Sequence, residues 1–108
     1  MYLLRRIART QPGKAWEVAG YLSKICAAYE EGGRNKANVY VGAPGLAGSP
    51  DTAYAEWTQD SIAPNWRGKI PAAVRENNGP MQELLTSYEL EIYELVNEDK
   101  LRDRNINV

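Results

Sequence analysis

Hydrophobic and polar residues alternate most regularly from Ser87 to Leu95, Ser-Tyr-Glu-Leu-Glu-Ile-Tyr-Glu-Leu. A period of two is that of a β-strand, whose successive side chains point to opposite faces. Tyr88, Leu90 and Ile92 then turn toward a core, while Ser87, Glu89 and Glu91 make a face that is polar or meets charged partners. Tyr2 to Thr10 predicts a first strand with a conflict built in. One parity is Tyr2, Leu4, Arg6 and Ala8, the other Leu3, Arg5, Ile7 and Arg9, so whichever side faces the core takes an arginine with it unless a bulge changes the register. A buried guanidinium needs a carboxylate or a polar pocket, unless its stem lies along apolar surface and its head reaches the edge.

Pro12-Gly13 end this strand, and Lys14 to Glu31 shows helical spacing in Ala15, Val18, Ala19, Leu22, Ile25, Cys26 and Tyr29. Gly32-Gly33 stop the helix, because glycine takes the left-handed C-cap conformation at no steric cost. Cys26 lies on the apolar stripe and is assigned to the core. Asn38 to Ala43 predicts a second strand, with Val39, Val41 and Ala43 opposite Asn38, Tyr40 and Gly42. Gly42 to Pro50 is a glycine-rich loop that lacks the Gly-Lys-Ser/Thr ending and the following helix of a phosphate loop. It exceeds the usual hairpin loop of about 2–5 residues and suits a lid, an arm toward a partner, or a mobile connector.

Asp51 to Gln59 predicts the third strand. Ala53, Ala55 and Trp57 share its core side, with Thr52, Tyr54, Glu56 and Thr58 on the other. Two alanines beside a tryptophan leave room between sheet and helices, to be taken by a ligand or filled by Trp16, Trp57 or Trp66. Beyond Asp60 the pattern weakens. Pro64 and Pro71 suit first helical turns, so a short turn near Pro64 and a helix from Pro71 to about Asn77 are expected, broken by Gly79-Pro80, with one more turn from Met81 to Leu85. Asn97 to Arg104 is charged and aperiodic. The division is therefore one domain over residues 1–96 and a tail over 97–108, frayed or ordered as an arm on a second subunit.

Strand, helix, strand, strand, helix, strand is the order of an α+β, ferredoxin-like β-α-β-β-α-β sandwich, an antiparallel sheet with its helices on one face. The open face then carries Tyr40, Tyr54, Glu56, Glu89, Glu91 and one set of first-strand arginines. Because the first and last strands neighbour each other, cross-strand Arg–Glu pairs follow, each contributing about 0.2–1 kcal/mol. Glu89 and Glu91, two apart on one strand face, are better explained as such partners than as an acid/base pair.

The 108 residues, 44% hydrophobic and 25% charged, suit one domain with one core. A formal net charge of −1 supplies no global field toward nucleic acid or an anionic membrane. Although nucleic-acid-binding RRM domains share the topology, Asp51-Thr52-Ala53-Tyr54-Ala55-Glu56-Trp57 lacks their glycine-aromatic motif, and Glu56, Glu89 and Glu91 repel phosphate. The opening residues lack a signal peptide's apolar run, and no window approaches the ~20 apolar residues of a membrane helix, so a cytoplasmic protein is expected. The absence of histidine removes histidine-based catalytic triads, zinc sites and haem ligation. With a single cysteine and no calcium-loop spacing, neither metal nor cofactor is expected. There is no phenylalanine beside seven Tyr and three Trp, aromatics suited to half-wet pockets and subunit contacts as well as to cores.

The element order, the opening Tyr2-Leu3-Leu4-Arg5-Arg6 with Pro12-Gly13-Lys14 leading into the first helix, and the closing Tyr88-Glu89-Leu90-Glu91-Ile92-Tyr93 resemble the dimeric α/β-barrel superfamily. The antibiotic-biosynthesis-monooxygenase-like and NIPSNAP-like branches are the nearest in style, and the resemblance spans about residues 2 to 96. It implies a homodimer whose two sheets join into a barrel, often with a small-molecule pocket between sheet and helices. Its members include cofactor-free oxygenases, haem-degrading enzymes, isomerases and proteins of no known activity. This chain departs from the histidine-using members, and Gly79-Pro80 interrupts a helix that is normally continuous, so the resemblance transfers no catalytic residue. On the residues themselves, Trp57 and Trp66 are candidate apolar walls, with Ala53 and Ala55 leaving the space. Arg6 is the candidate for stabilising an enolate-like or phenolate oxygen, and Tyr54 or Tyr88 for donating a hydrogen bond. Two functions are expected from this: a cofactor-free oxygenase or isomerase-like enzyme acting on a small aromatic or polyketide-like molecule, or a non-catalytic small-molecule-binding or assembly module.

Overall fold

The computed structural model describes residues 1–43, 48–62 and 70–108. The turn expected near Pro64 and the candidate wall Trp66 lie outside them. Strand β1 (Tyr2–Thr10) leads into helix α1 (Ala15–Glu31), then β2 (Asn38–Val41), β3 (Thr52–Gln59), helix α2 (Ala72–Gln82), β4 (Leu85–Glu94) and a short α3 (Glu98–Asp103). The sheet is antiparallel throughout, in the order β2-β3-β1-β4, as the ferredoxin-like pattern requires. Within one chain it stays open, with β2 and β4 as its edges.

Register settles the parity of β1. Leu4, Arg6 and Ala8 pair with Trp57, Ala55 and Ala53 on β3 and with Ile92, Leu90 and Tyr88 on β4, and this set faces the helices. Ala8 and Ala53, paired across the sheet, have no exposed surface, and their small side chains admit Val18 and Leu22 of α1. Val74 and Met81 of α2 complete this part of the core. A second cluster gathers Leu4, Cys26, Ala55 and Trp57. Cys26 is therefore a core residue, as its place on the helical stripe predicts.

Several sequence expectations are corrected. Helix α2 runs through Gly79-Pro80 to Gln82 instead of breaking there. Proline removes one backbone donor and crowds the preceding turn, but this helix ends two residues later, and the fully buried Met81 anchors its last turn. Strand β4 starts at Leu85 rather than Ser87, and β2 stops at Val41, short of Ala43. The charged tail contains a helix, α3. The Asn97 side chain caps it by accepting the Lys100 N–H at 2.9 Å, and Lys100 and Arg104 reach Glu94 at 3.6 and 3.5 Å. Trp16 is 79% exposed and does not fill the core. Leu90 and Ile92 keep the predicted parity but are 39% and 49% exposed, because β4 is an edge strand.

Candidate functional site

The site grows from the sequence position that carries the conflict in β1. Arg6 sits between Ala55 and Leu90 on the helix-facing side of the sheet, and its guanidinium stacks on the Tyr88 ring, 4.4 Å from the centroid. Ala55, 1% exposed, packs in the cluster with Leu4, Cys26 and Trp57.

The second cation comes from the end of α1. Gly33 has φ of +106°, which a residue with a Cβ rarely adopts. The Gly33 N–H bonds the Glu30 carbonyl at 3.0 Å and the Arg34 N–H bonds the Tyr29 carbonyl at 3.1 Å. This is a Schellman motif, which folds the residue after the glycine back over the last turn. Arg34 accordingly lies 3.9 Å from the Tyr29 ring centroid and 4.5 Å from that of Trp57. The Trp57 indole is itself fixed by donating to Gln59 Oε1 at 2.8 Å. The nearby carboxylate of Glu30 is engaged elsewhere, accepting the Ala37 N–H at 2.7 Å. Among the described residues neither Arg6 nor Arg34 forms an ion pair, and Arg34 Nε is buried without a hydrogen-bond partner. A cleft of about 220 Å³, lined by Gly33, Asn35, Gln59, Asp60 and Ser61, opens beside Arg34 and the residue that holds Trp57.

The electrostatics follow from two cations beside buried polar atoms. Burial lowers the Arg34 pKa, and Arg6 lowers it further. Burial raises the Cys26 thiol, against which both Arg34 and Arg6 act, and likewise raises the Tyr88 hydroxyl, again opposed by the two arginines. These groups influence one another on the helix-covered face, where the Cys26 and Tyr88 protons are retained and no carboxylate pairs with either arginine among the described residues. Such a site can accept an organic anion. No group of three or more His, Cys, Asp or Glu side chains able to hold a metal ion occurs among the described residues.

Of the candidate residues, the structure brings together Arg6, Tyr88, Trp57 and Ala55. Ala53 is nearby on the same face but is sealed in the core. Tyr54 pairs with Ile7 on the opposite face and is separated from Arg6 by the sheet. Arg34 and Tyr29 are missing from the sequence-derived set. The signal for them was present in Gly32-Gly33, since a glycine C-cap places the next residue over the last helical turn.

A scan against models of protein families and a search of curated proteins find no match. Among solved structures, the fold is shared with a Chloroflexus aurantiacus protein provisionally described as an antibiotic biosynthesis monooxygenase. The TM-score is 0.66 at 18% identity, over 89% of this chain and 93% of that one. It is also shared with a NIPSNAP family protein of Agrobacterium tumefaciens, with a TM-score of 0.57 at 16% identity, over 90% and 94% of the two chains. These proteins represent the two branches expected from the sequence, and at such identities the likeness is one of fold.

Proposed function

We propose that the protein holds a small aromatic or polyketide-like molecule between the sheet and α1 as its phenolate or enolate, and handles it in the manner of a cofactor-free oxygenase or isomerase. The observation that carries this reading is Arg6, a helix-side cation without a carboxylate partner among the described residues, stacked on Tyr88 and flanked by Ala55. A guanidinium stabilises developing oxyanion charge strongly where water is excluded. A phenolate or enolate so held is electron-rich at carbon, the form in which such compounds meet O2 without a metal or flavin. The description of the Chloroflexus protein supports the oxygenase version.

A second reading, binding without turnover, is favoured by the side chains around Arg6. Tyr88 and Cys26 hold their protons above the ordinary range, and the Glu30 carboxylate is taken by the Ala37 N–H, so none of these three is a ready general base. Oxygen uptake and product formation with 2-naphthol and dihydroxynaphthalenes separate the two readings. Turnover lost in Arg6→Ala and Trp57→Ala supports the first, and binding without turnover supports the second. Unchanged binding and turnover in both variants would remove the site.

The same reading places the protein in a homodimer. What supports it is β4, which presents a ten-residue edge with Leu90, Ile92 and Tyr93 exposed. Native mass spectrometry at low micromolar concentration is expected to give a dimer, and a monomer throughout would refute it.

A further inference from the structure

We infer that Arg34 recognises a second anionic group on the ligand, a carboxylate, so that the molecule taken by this site is an aromatic acid that also bears a phenol or enol. The inference rests on the proposed placement of the phenolate or enolate oxygen at Arg6. Arg34 is not a surface arginine that happens to lack a partner. The Schellman turn at Gly33 fixes its backbone, and its guanidinium is stacked against both Tyr29 and Trp57, 3.9 and 4.5 Å from the ring centroids. Held in this way, the planar fork of donors loses little freedom on binding and suits the two oxygens of a carboxylate.

Charge points the same way. Two guanidinium groups lie on this face; of the carboxylates nearby, Glu30 is committed to the Ala37 N–H, and Asp60, on the wall of the cleft beside Arg34, forms no ion pair with it. A ligand with a single phenolate oxygen compensates one cation and leaves the other partly dehydrated. A hydroxy acid compensates both.

The test compares 2-naphthol with 3-hydroxy-2-naphthoate and 6-hydroxy-2-naphthoate by isothermal titration calorimetry on the full chain. At least one hydroxy acid is expected to bind about 10-fold more tightly than 2-naphthol, the order of a charge-assisted hydrogen bond in a partly buried site. Arg34→Gln should bring that ratio close to one, and Arg34→Lys, which keeps the charge but not the fork, should leave an intermediate ratio. The exposed Arg75→Gln should preserve it. Thermal unfolding of each variant checks folding, and the lysine variant serves if the glutamine variant does not fold. Binding of 2-naphthol with no preference for either acid, or a preference that survives Arg34→Gln, overturns the carboxylate assignment alone. Failure of all three compounds to bind, or binding that ignores Arg6→Gln, overturns the placement at Arg6 and this inference with it.

Discussion

Arg5 and Arg6 are consecutive residues of β1 that the pleat sends to opposite faces, and the two faces treat the same side chain differently. On the open face, Arg5 bonds Glu56 at 2.7 Å and reaches Glu91 at 4.0 Å, while Arg9 pairs with Glu89. The hydrogen bond to Glu56 raises the Arg5 pKa. Each cation there has a carboxylate on an adjacent strand, so the face neutralises itself. On the helix-covered face, Arg6 and Arg34 have aromatic rings where the others have carboxylates. An aromatic face attracts a cation without cancelling its charge. The paired side cancels its charge and the stacked side keeps it, even though both draw on one strand.

The largest effects separate the two sides by burial. Leu22 of α1 is among the most deeply buried side chains, so Leu22→Ala should cost about 2–5 kcal/mol in denaturant unfolding. Arg9→Gln on the open face should stay within about 0.5 kcal/mol. Comparable losses at the two positions would mean that the open face carries core-like energy in the folded protein.

Alkali sharpens the contrast further. Burial holds the Cys26 and Tyr88 protons above their ordinary values, so the unfolded chain loses them first. Where the unfolded chain binds fewer protons than the native one, stability falls as pH rises. Their contribution is therefore complete below the ordinary values of 9.0 for the thiol and 10.0 for the phenol, and declines as pH climbs through the raised native values. The slope is at most about 1.4 kcal/mol per pH unit for each group. Cys26→Ala should flatten the decline that begins near pH 9.0. If urea midpoints of wild type and variant fell in parallel between pH 8 and 10, the thiol would not titrate inside the site.

The sequence made the faces legible but not all their occupants. The alternations in Tyr88-Leu90-Ile92 and Ala53-Ala55-Trp57 assign faces correctly, because a period of two leaves only one choice once a side is buried. They could not decide β1, where arginine occurs in both parities, since that choice needs the pairing of Arg6 with Ala55 and of Arg5 with Glu56. Nor could alternation give the exposure of Leu90 and Ile92, which depends on the strand order that puts β4 at an edge. Gly79-Pro80 was misleading because breaker residues act on local backbone, and Met81 buried one residue later outweighs them. Arg34 entered the site through a turn whose glycines were read only as a stop signal.

The smallest effect tests the comparison most directly. A double-mutant cycle on Arg5 and Glu56, using Arg5→Met and Glu56→Gln, should give a coupling of about 0.2–1 kcal/mol, modest because both side chains remain partly in water. A cycle on Arg6 and Tyr88, with Arg6→Met and Tyr88→Leu, should give a similar figure of about 0.5–1 kcal/mol, from a cation over a ring. Salt distinguishes them. At 1 M ionic strength the Debye length falls to about 3 Å, so the half-exposed ion pair should lose much of its coupling. The Arg6–Tyr88 contact, where Tyr88 packs against the core, is screened less and should retain most of its own. If both couplings fell together, the helix-covered arginine would be as solvated as the open one, and the reason for expecting an anion beside it would be gone.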